Sequence, residues 1–254
     1  MLKPIVIIPS RLGSTRLPEK ALKILNGQPM IWHVWSNALK ANLGPVIVAT
    51  DSEKISSVIH AKGGKAILTD AKHQSGSDRI YEALDKFDPF CEYNLIINLQ
   101  GDMPLFDPNI LKLLISKIRN EDIITLVCKA NFDEISDPNV VKAVISWDNN
   151  DKNYGTALYF SRSSVPYNSL DYLHHIGIYA WRRESLKKFI SLPVSNLEQI
   201  EKLEQLRALE NGMIIKALKI KDNLIGVDTQ NDLNKVRNKI KNRSESNLND
   251  SKSN

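Results

Sequence analysis

Cysteine is almost missing from this chain. Cys91 and Cys128 stand alone, far apart and without the short spacing of a metal site, a usage that suits a reducing cytosol and excludes a disulfide scaffold. Both read as small core residues rather than reactive thiols. Long apolar runs are missing too, since none approaches the roughly 20 residues that span a bilayer. Met1-Leu2-Lys3-Pro4 passes at once into an apolar run, which leaves no room for a signal peptide, and the expected location is cytoplasmic. Neither a P-loop nor a G-x-G-x-x-G turn follows the first strand, so the commonest phosphate loops are excluded there. Charge of one sign is not dominant: 34 basic and 29 acidic residues leave +5. With an isoelectric point near 9.0, nucleic acid is one explanation. A phosphate-rich small substrate and a basic tail explain the balance equally well.

What is present is an ordinary globular composition, 42% hydrophobic and 25% charged over 254 residues, enough for a substantial core. Strand-like runs at Ile5–Ile8, Val46–Ala49, Lys65–Leu68, Leu95–Leu99 and Ile123–Ala130 alternate with helical patterns at Met30–Ala41, Glu53–Ala61, Asp78–Lys86 and Pro108–Arg119. That alternation predicts a doubly wound α/β fold, a mostly parallel sheet with helices on both faces. Asp107 and Pro108 signal the last helix start, with Ile110, Leu111, Leu114, Ile115 and Ile118 forming its stripe. From about 132 to 181 the pattern becomes short β segments, read as a small antiparallel insertion and the place for a dimer contact. Helices return at Leu197–Glu210 and Gln230–Lys241. One domain, 1–242, is expected. Residues 243–254 are polar, lack periodicity and are expected to be disordered.

The segment after the first strand is the most informative. Ser10, Gly13 and Ser14 are small, and Arg11, Arg16 and Lys20 are cationic. Small residues let backbone N–H groups approach an anion whose charge Arg and Lys offset. A solvated basic loop has the same composition, and composition does not choose between the two. Asp102 follows Leu95–Leu99 through Gln100-Gly101, at the carboxyl edge where ligands bind in open α/β sheets. It reads as a magnesium ligand or as a turn residue. Asp228-Thr229 before a helix reads as an N-cap.

Alternation places His175 and Tyr179 on one face of a strand, with Ile176 and Ile178 on the other. That face suits a hydroxyl-rich ligand or is a half-exposed surface. His174 reads as a packed histidine. In a continuous helix after Asn196, Glu204 falls between Leu197, Ile200 and Ala208, and a carboxylate in an apolar stripe costs desolvation energy unless it binds something. Arg79, after Ser75-Gly76 and near a helix start, can grip a carboxylate with two parallel hydrogen bonds.

The spacing Pro9-Ser10-Arg11-x-x-Ser14-Thr15-Arg16-Leu17-Pro18-x-Lys20 resembles the nucleotide-binding signature of the sugar cytidylyltransferases. His73-Gln74-Ser75-Gly76-Ser77-Asp78-Arg79, Asn98-Leu99-Gln100-Gly101-Asp102, His175-Ile176-Gly177-Ile178-Tyr179, Leu203-Glu204-Gln205-Leu206-Arg207 and Gly226-Val227-Asp228-Thr229 follow in order. Together they resemble the group that activates 3-deoxy-manno-octulosonate (Kdo). The likeness runs from about Pro4 to about Lys239. It implies a nucleotide-diphospho-sugar transferase-like fold and transfer of CMP from CTP to Kdo for bacterial lipopolysaccharide.

The same likeness implies residue roles. Pro9, Ser10, Arg11, Arg16, Lys20, Gln74, Ser75 and Gly76 would bind nucleotide. Asp102 and Asp228 would hold Mg²⁺, and Arg11 and Lys20 would stabilise the triphosphate. Arg79, Gln100, Arg162, His175, Tyr179, Glu204 and Gln205 would bind the sugar acid. It implies small-molecule substrates, neither nucleic acid nor membrane, and a homodimer. A sialic acid or an amino-Kdo as acceptor, or a nonenzymatic nucleotide-binding role, are the alternatives. Two departures stand out: Met103, where the group usually carries an acidic residue, and the stretch Pro166 to Asp171, shorter than in many relatives and without their arginine.

Overall fold

The computed structural model describes residues 2–14, 16–73, 75–221 and 223–250. Its first half contains β1 (Pro4–Ser10), the short strands β2 (Ile24–Leu25) and β3 (Gln28–Pro29), α1 (Met30–Lys40), β4 (Val46–Thr50), α2 (Glu53–His60), β5 (Lys65–Leu68), α3 (Gly76–Phe87), β6 (Leu95–Asn98), α4 (Asn109–Lys117) and β7 (Ile123–Lys129). The second half adds α5 (Phe132–Ile135), β8 (Lys142–Asp148), β9 (Asp151–Ser161), β10 (Leu173–Arg182), α6 (Arg183–Ser191), α7 (Asn196–Glu201), α8 (Gln205–Glu210), β11 (Ile215–Lys219) and α9 (Gln230–Asp250). Side chains set the helix starts. Ser52 accepts from Ile55 N at the head of α2, and Ser75 accepts from Asp78 N at the head of α3.

One mixed sheet orders the strands β5-β4-β1-β6-β10-β7-β11-β9-β8. β5, β4, β1 and β6 are parallel, β10 runs antiparallel to both β6 and β7, and β11 is parallel to β7. The β8–β9 hairpin closes the far edge antiparallel. Only β9 and β10 therefore oppose the common direction. The antiparallel region is not an appendage, because β10 is threaded into the middle of the sheet. Its alternation explains this: Ile176, Ile178 and Ala180 pack into one apolar cluster, and Tyr179 and Trp181 into the other. A strand apolar on both faces needs neighbours on both sides.

The two clusters lie on opposite faces of the sheet. Val6 and Ile8 pack with α1, α2 and α4, while Ile5 and Ile7 pack with α3, α6 and α8. Ile5, Val6, Ile7 and Ile8 are fully buried, and each such side chain contributes about 1.5–3 kcal/mol over exposure. Strand β1 is thus held rigidly just before the basic segment. A third cluster joins Leu17, Leu25 and Met30 to Val227, Leu233 and Val236, and so brings the distant 226–229 segment beside the loop after β1.

Several expectations are corrected. The helix expected over Leu197–Glu210 is two helices, broken where Lys202 takes a left-handed φ of 55°. Ile200 consequently faces solvent and is not part of an inward stripe. α6, β11 and the β2–β3 pair are additional; each is too short or too polar to announce itself by period. Cys91 is exposed at a turn with φ 57°, whereas Cys128 is buried as expected.

Helix α9 continues to Asp250, so the backbone from 243 to 250 is helical where composition suggested no regular structure. No glycine or proline follows Gly226 to stop it. Among its described side chains, Leu233, Val236 and Ile240 carry the apolar packing. Truncation after Asn242 is therefore expected to leave CTP turnover and melting temperature unchanged, measured side by side with the full chain. A drop in either would mean that the distal helix docks on something.

Candidate active site

A cleft of about 310 Å³ opens at the carboxyl ends of β1 and β6. Its lining includes eleven of the residues expected from the sequence: Pro9, Ser10, Arg11, Arg16, Lys20, Ser75, Gly76, Arg79, Gln100, Asp102 and Asp228. Gln74 lies outside the described residues. Gly13, Ser14, His73 and Gly101 also line the cleft. Gly101 is required by close approach, since a Cβ there would sit 2.8 Å from the Pro9 carbonyl oxygen. That contact lets the Gln100-Gly101-Asp102 turn lie directly on the end of β1.

The two aspartates meet because Val227 N–H donates to the Asp102 carbonyl at 2.9 Å, tying the segment before Asp228 to the end of β6. Both carboxylates converge on one cation, the Lys20 ammonium, at 2.7 Å from Asp102 Oδ2 and 2.8 Å from Asp228 Oδ1. Arg16 pairs with Asp228 Oδ2 at 3.0 Å and donates to Asn139 Oδ1 at 3.0 Å. Burial alone would lower the Lys20 pKa, but Asp102 and Asp228 outweigh it and raise it. Burial likewise would raise Asp228, and Lys20 and Arg16 overcome this and lower it. The site is thus a compact, charge-balanced cluster.

Asp228 is not the helix cap. Thr229 Oγ1 accepts from Asp232 N, and the Asp232 carboxylate accepts from Thr229 N, so this reciprocal pair heads α9 and leaves the Asp228 carboxylate to the cleft. Met103 is a core residue of the α1/α4 face, so the position usually acidic in the group is filled by apolar packing.

Arg79 lines the cleft but is not the free fork expected for a sugar carboxylate. Its guanidinium is almost fully buried and donates to Thr69 Oγ1 at 2.5 Å and to Asp51 Oδ2 at 3.0 Å. Asp51 also accepts from the backbone N–H of Leu12 at 3.1 Å. Asp51 follows the apolar run Val46–Ala49 as Asp102 follows Leu95–Leu99, and that position was the signal that could have found it.

Arg162 stands apart from the cleft. Its guanidinium donates to the carbonyls of Glu201, Lys202 and Pro138, an arrangement that holds the α7 terminus against the turn after β9. His175, Tyr179, Glu204 and Gln205 are not among the residues that line the cleft. His175, Tyr179 and Gln205 are buried, and His175 and Tyr179 share a face, with ring centroids 5.5 Å apart, as alternation predicts. His174 faces the opposite side and approaches Glu134 at 3.4 Å.

The break at Lys202 aims Glu204 at the first turn of α3, where Ser77 donates to its Oε1 at 2.9 Å, while Oε2 has no hydrogen-bond partner among the described residues. Burial raises the Glu204 carboxyl, only partly offset by the hydroxyls of Ser77 and Ser75. Burial, reinforced by Glu204, raises the Tyr179 phenol well above its ordinary value.

Burial, with a smaller push from His174, drives the His175 imidazole down to about 3. The unfolded chain protonates this histidine near pH 6.5, so it binds the proton that the folded chain refuses. The neutral imidazole's contribution is complete above that pH and is lost as pH falls toward 3. The melting temperature is therefore expected to begin falling below about pH 6.5, before carboxylates titrate. His175→Gln should flatten that first part of the profile; an unchanged profile would assign the acid loss to other groups.

Comparison with known proteins places this geometry. The cytidylyltransferase family model matches residues 5–220. A 3-deoxy-manno-octulosonate cytidylyltransferase of Paramagnetospirillum magneticum is 47% identical over 239 residues, covering 93% of this chain and 97% of that protein. That of Bartonella quintana is 50% identical over 239 residues, covering 93% and 98%. Among solved structures, a CMP:2-keto-3-deoxy-manno-octonic acid synthetase complexed with CTP aligns with a TM-score of 0.85 at 39% identity, over 95% of this chain and 99% of that one. A cytidylyltransferase from Leptospira borgpetersenii shares the fold at 16% identity and a TM-score of 0.58. The basic loop and Asp102 fall inside the matched span, and the chain belongs to the cytidylyltransferase family, among the 3-deoxy-manno-octulosonate cytidylyltransferases.

Proposed function

We propose that this chain transfers CMP from CTP to Kdo, releasing pyrophosphate, and that the product serves bacterial lipopolysaccharide synthesis. The observation that carries the reading is the convergence of Asp102, Asp228, Lys20 and Arg16 at the edge of a cleft whose other wall is the end of β1. In the reaction the anomeric hydroxyl oxygen of Kdo bonds to the α-phosphorus while the bond from that phosphorus to the bridging oxygen of the leaving pyrophosphate breaks, and the hydroxyl proton is released to solvent. Such chemistry rests on positioning and on offsetting charge, with no covalent enzyme intermediate required. Arg11, Arg16 and Lys20 supply positive charge to the triphosphate and to the departing pyrophosphate. Ser75 and Gly76, at the head of α3, present a helix N-terminus to the same cleft.

Asp102 and Asp228 fit Mg²⁺ as a donor set. Their hard oxygens already meet at one ammonium, and Mg²⁺ characteristically takes one or two carboxylates together with substrate phosphates. Bound there, Mg²⁺ would supply Lewis-acid polarisation of a phosphoryl oxygen. On the acceptor side, Gln100 lines the cleft and Gly177 lies beside it, with a Cβ position 3.6 Å from the Gln100 side chain. We assign the buried His175, Tyr179, Gln205 and the neighbouring Glu204 to the sugar acid on the family likeness.

We infer a homodimer through the face of β9 and the following turn, where Leu158, Tyr167 and Leu170 are exposed. Among the described residues no helix is long and apolar enough to cross a membrane. With Cys91 and Cys128 both free, a cytoplasmic location is the consistent assignment. The deciding experiment is pyrophosphate release from CTP with Mg²⁺ and a panel of Kdo, amino-Kdo and a sialic acid. Kdo should give the highest kcat/KM. Preference for another acid would reassign the acceptor, and no release with any of them would leave a nucleotide-binding role.

A further inference from the structure

A residue bonded to the cleft-lining Arg79 is used by none of the roles above. Asp51 stands immediately after β4, the parallel neighbour of β1, where Ser10 and Thr50 are register partners. Its carboxylate faces two ways. Oδ1 accepts the backbone N–H of Leu12, and Oδ2 accepts Arg79 NH2 at 3.0 Å. Arg79 in turn reaches Thr69 at the end of β5, and Thr69 N–H donates to the Thr50 carbonyl. The ends of β1, β4 and β5 and the first turn of α3 are thus locked through one carboxylate. The pair is largely withdrawn from water, with side-chain exposures of 4% for Arg79 and 14% for Asp51.

Leu12 is the fixed point of the basic segment. Its side chain packs against the α1/α4 core cluster, and its N–H is held by Asp51. On either side, Arg11 and Gly13 are exposed and line the cleft. Holding Leu12 by both its side chain and its backbone therefore sets where the Arg11 side chain and the Gly13 backbone point. An ion pair this buried costs desolvation and is weak evidence for stability alone. Here it also spans two segments that both line the cleft.

We propose that Asp51 is a positioning residue for CTP: through Leu12 and Arg79 it holds the loop after β1 and the head of α3 in the geometry that receives the triphosphate. This rests on the reading of the cleft as a CTP site. It gives Arg79 a brace's role on the nucleotide side, in place of a grip on the sugar carboxylate.

The test compares wild type, Asp51→Ala and Asp51→Asn. Pyrophosphate release is measured with CTP and Kdo varied separately, alongside melting temperature and equilibrium dialysis of labelled CTP. Asp51→Ala leaves the Leu12 N–H without its acceptor and the Arg79 guanidinium without its charged partner, so the KM and Kd for CTP are expected to rise about tenfold. The KM for Kdo should stay unchanged and kcat should move much less. Asn keeps an oxygen for Leu12 but loses the charge facing Arg79, so its effect should be intermediate and equally selective for CTP. If Asp51→Ala does not fold, Asp51→Asn decides. An unchanged CTP affinity in a folded variant, or an equal rise in the KM for Kdo, overturns the proposal and leaves Asp51 a stabilising residue only. If wild type releases no pyrophosphate with Kdo, the acceptor assignment fails, and dialysis of CTP still decides the role of Asp51.

Discussion

Asp102→Asn is expected to remove nearly all turnover while the protein stays folded. The substitution keeps the side chain's shape and one oxygen at the end of β6, but it deletes one of the two negative charges that meet at Lys20. A hard divalent cation bound by two carboxylates then loses half of the protein charge that holds it. Groups that stabilise transition-state charge typically contribute about 10²–10³-fold in kcat when removed singly, and a loss of that order is expected here. The loss should lessen as Mg²⁺ concentration is raised. Asp228→Asn should behave alike, without a helix-capping penalty, since Thr229 and Asp232 head α9. Steady-state rates at several Mg²⁺ concentrations, with circular dichroism for the fold, check both. Wild-type activity in either variant would sink the two-carboxylate site.

The second large effect falls on the cationic wall. Lys20→Ala removes the ammonium that lies between the two carboxylates in the cleft, and Arg11→Ala removes an exposed guanidinium from the same cleft. Each should cost roughly 2.7–4 kcal/mol of transition-state stabilisation, seen in kcat/KM for CTP more than for Kdo. The two differ in the free protein. Lys20 is three-quarters or more withdrawn from water between charges, so its loss leaves Asp102 and Asp228 facing one another with Arg16 alone on Asp228. Lys20→Ala should therefore also lower the melting temperature, and Arg11→Ala should not. Equal shifts for both would mean that Lys20 is not the cation that holds the carboxylates together.

The pattern of β1 was legible because four consecutive apolar residues leave few alternatives, and it proved buried on both faces. The strand-end rule found Asp102 from its place after Leu95–Leu99, and the motif order found Lys20 and Asp228. The same rule applied to Val46–Ala49 would have found Asp51, which lacks a neighbouring glycine turn to mark it. Glu204 was singled out for an argument that the structure changes. Its burial comes from the left-handed residue Lys202, which ends α7 and re-aims the chain, and not from a continuous apolar stripe. Lysine does not advertise a positive φ, so no periodicity could have placed that break.

Local sequence by itself determined the elements that rest on short-range physics: the buried strands, the caps at Ser52 and Ser75, the small, cationic segment after β1, and the identities of the groups that carry charge. What only tertiary structure decided is which of those groups meet. Arg79 and Arg162 are both cations near expected binding segments, yet one braces Asp51 and Thr69 and the other holds the carbonyls of Glu201, Lys202 and Pro138. A side chain's charge is a property of its residue. Its partner depends on strand order, on β10 entering between β6 and β7, and on a distant apolar cluster that brings Val227 to Leu17. Some of those contacts join residues more than two hundred positions apart, and their energies are settled by packing that no local pattern encodes.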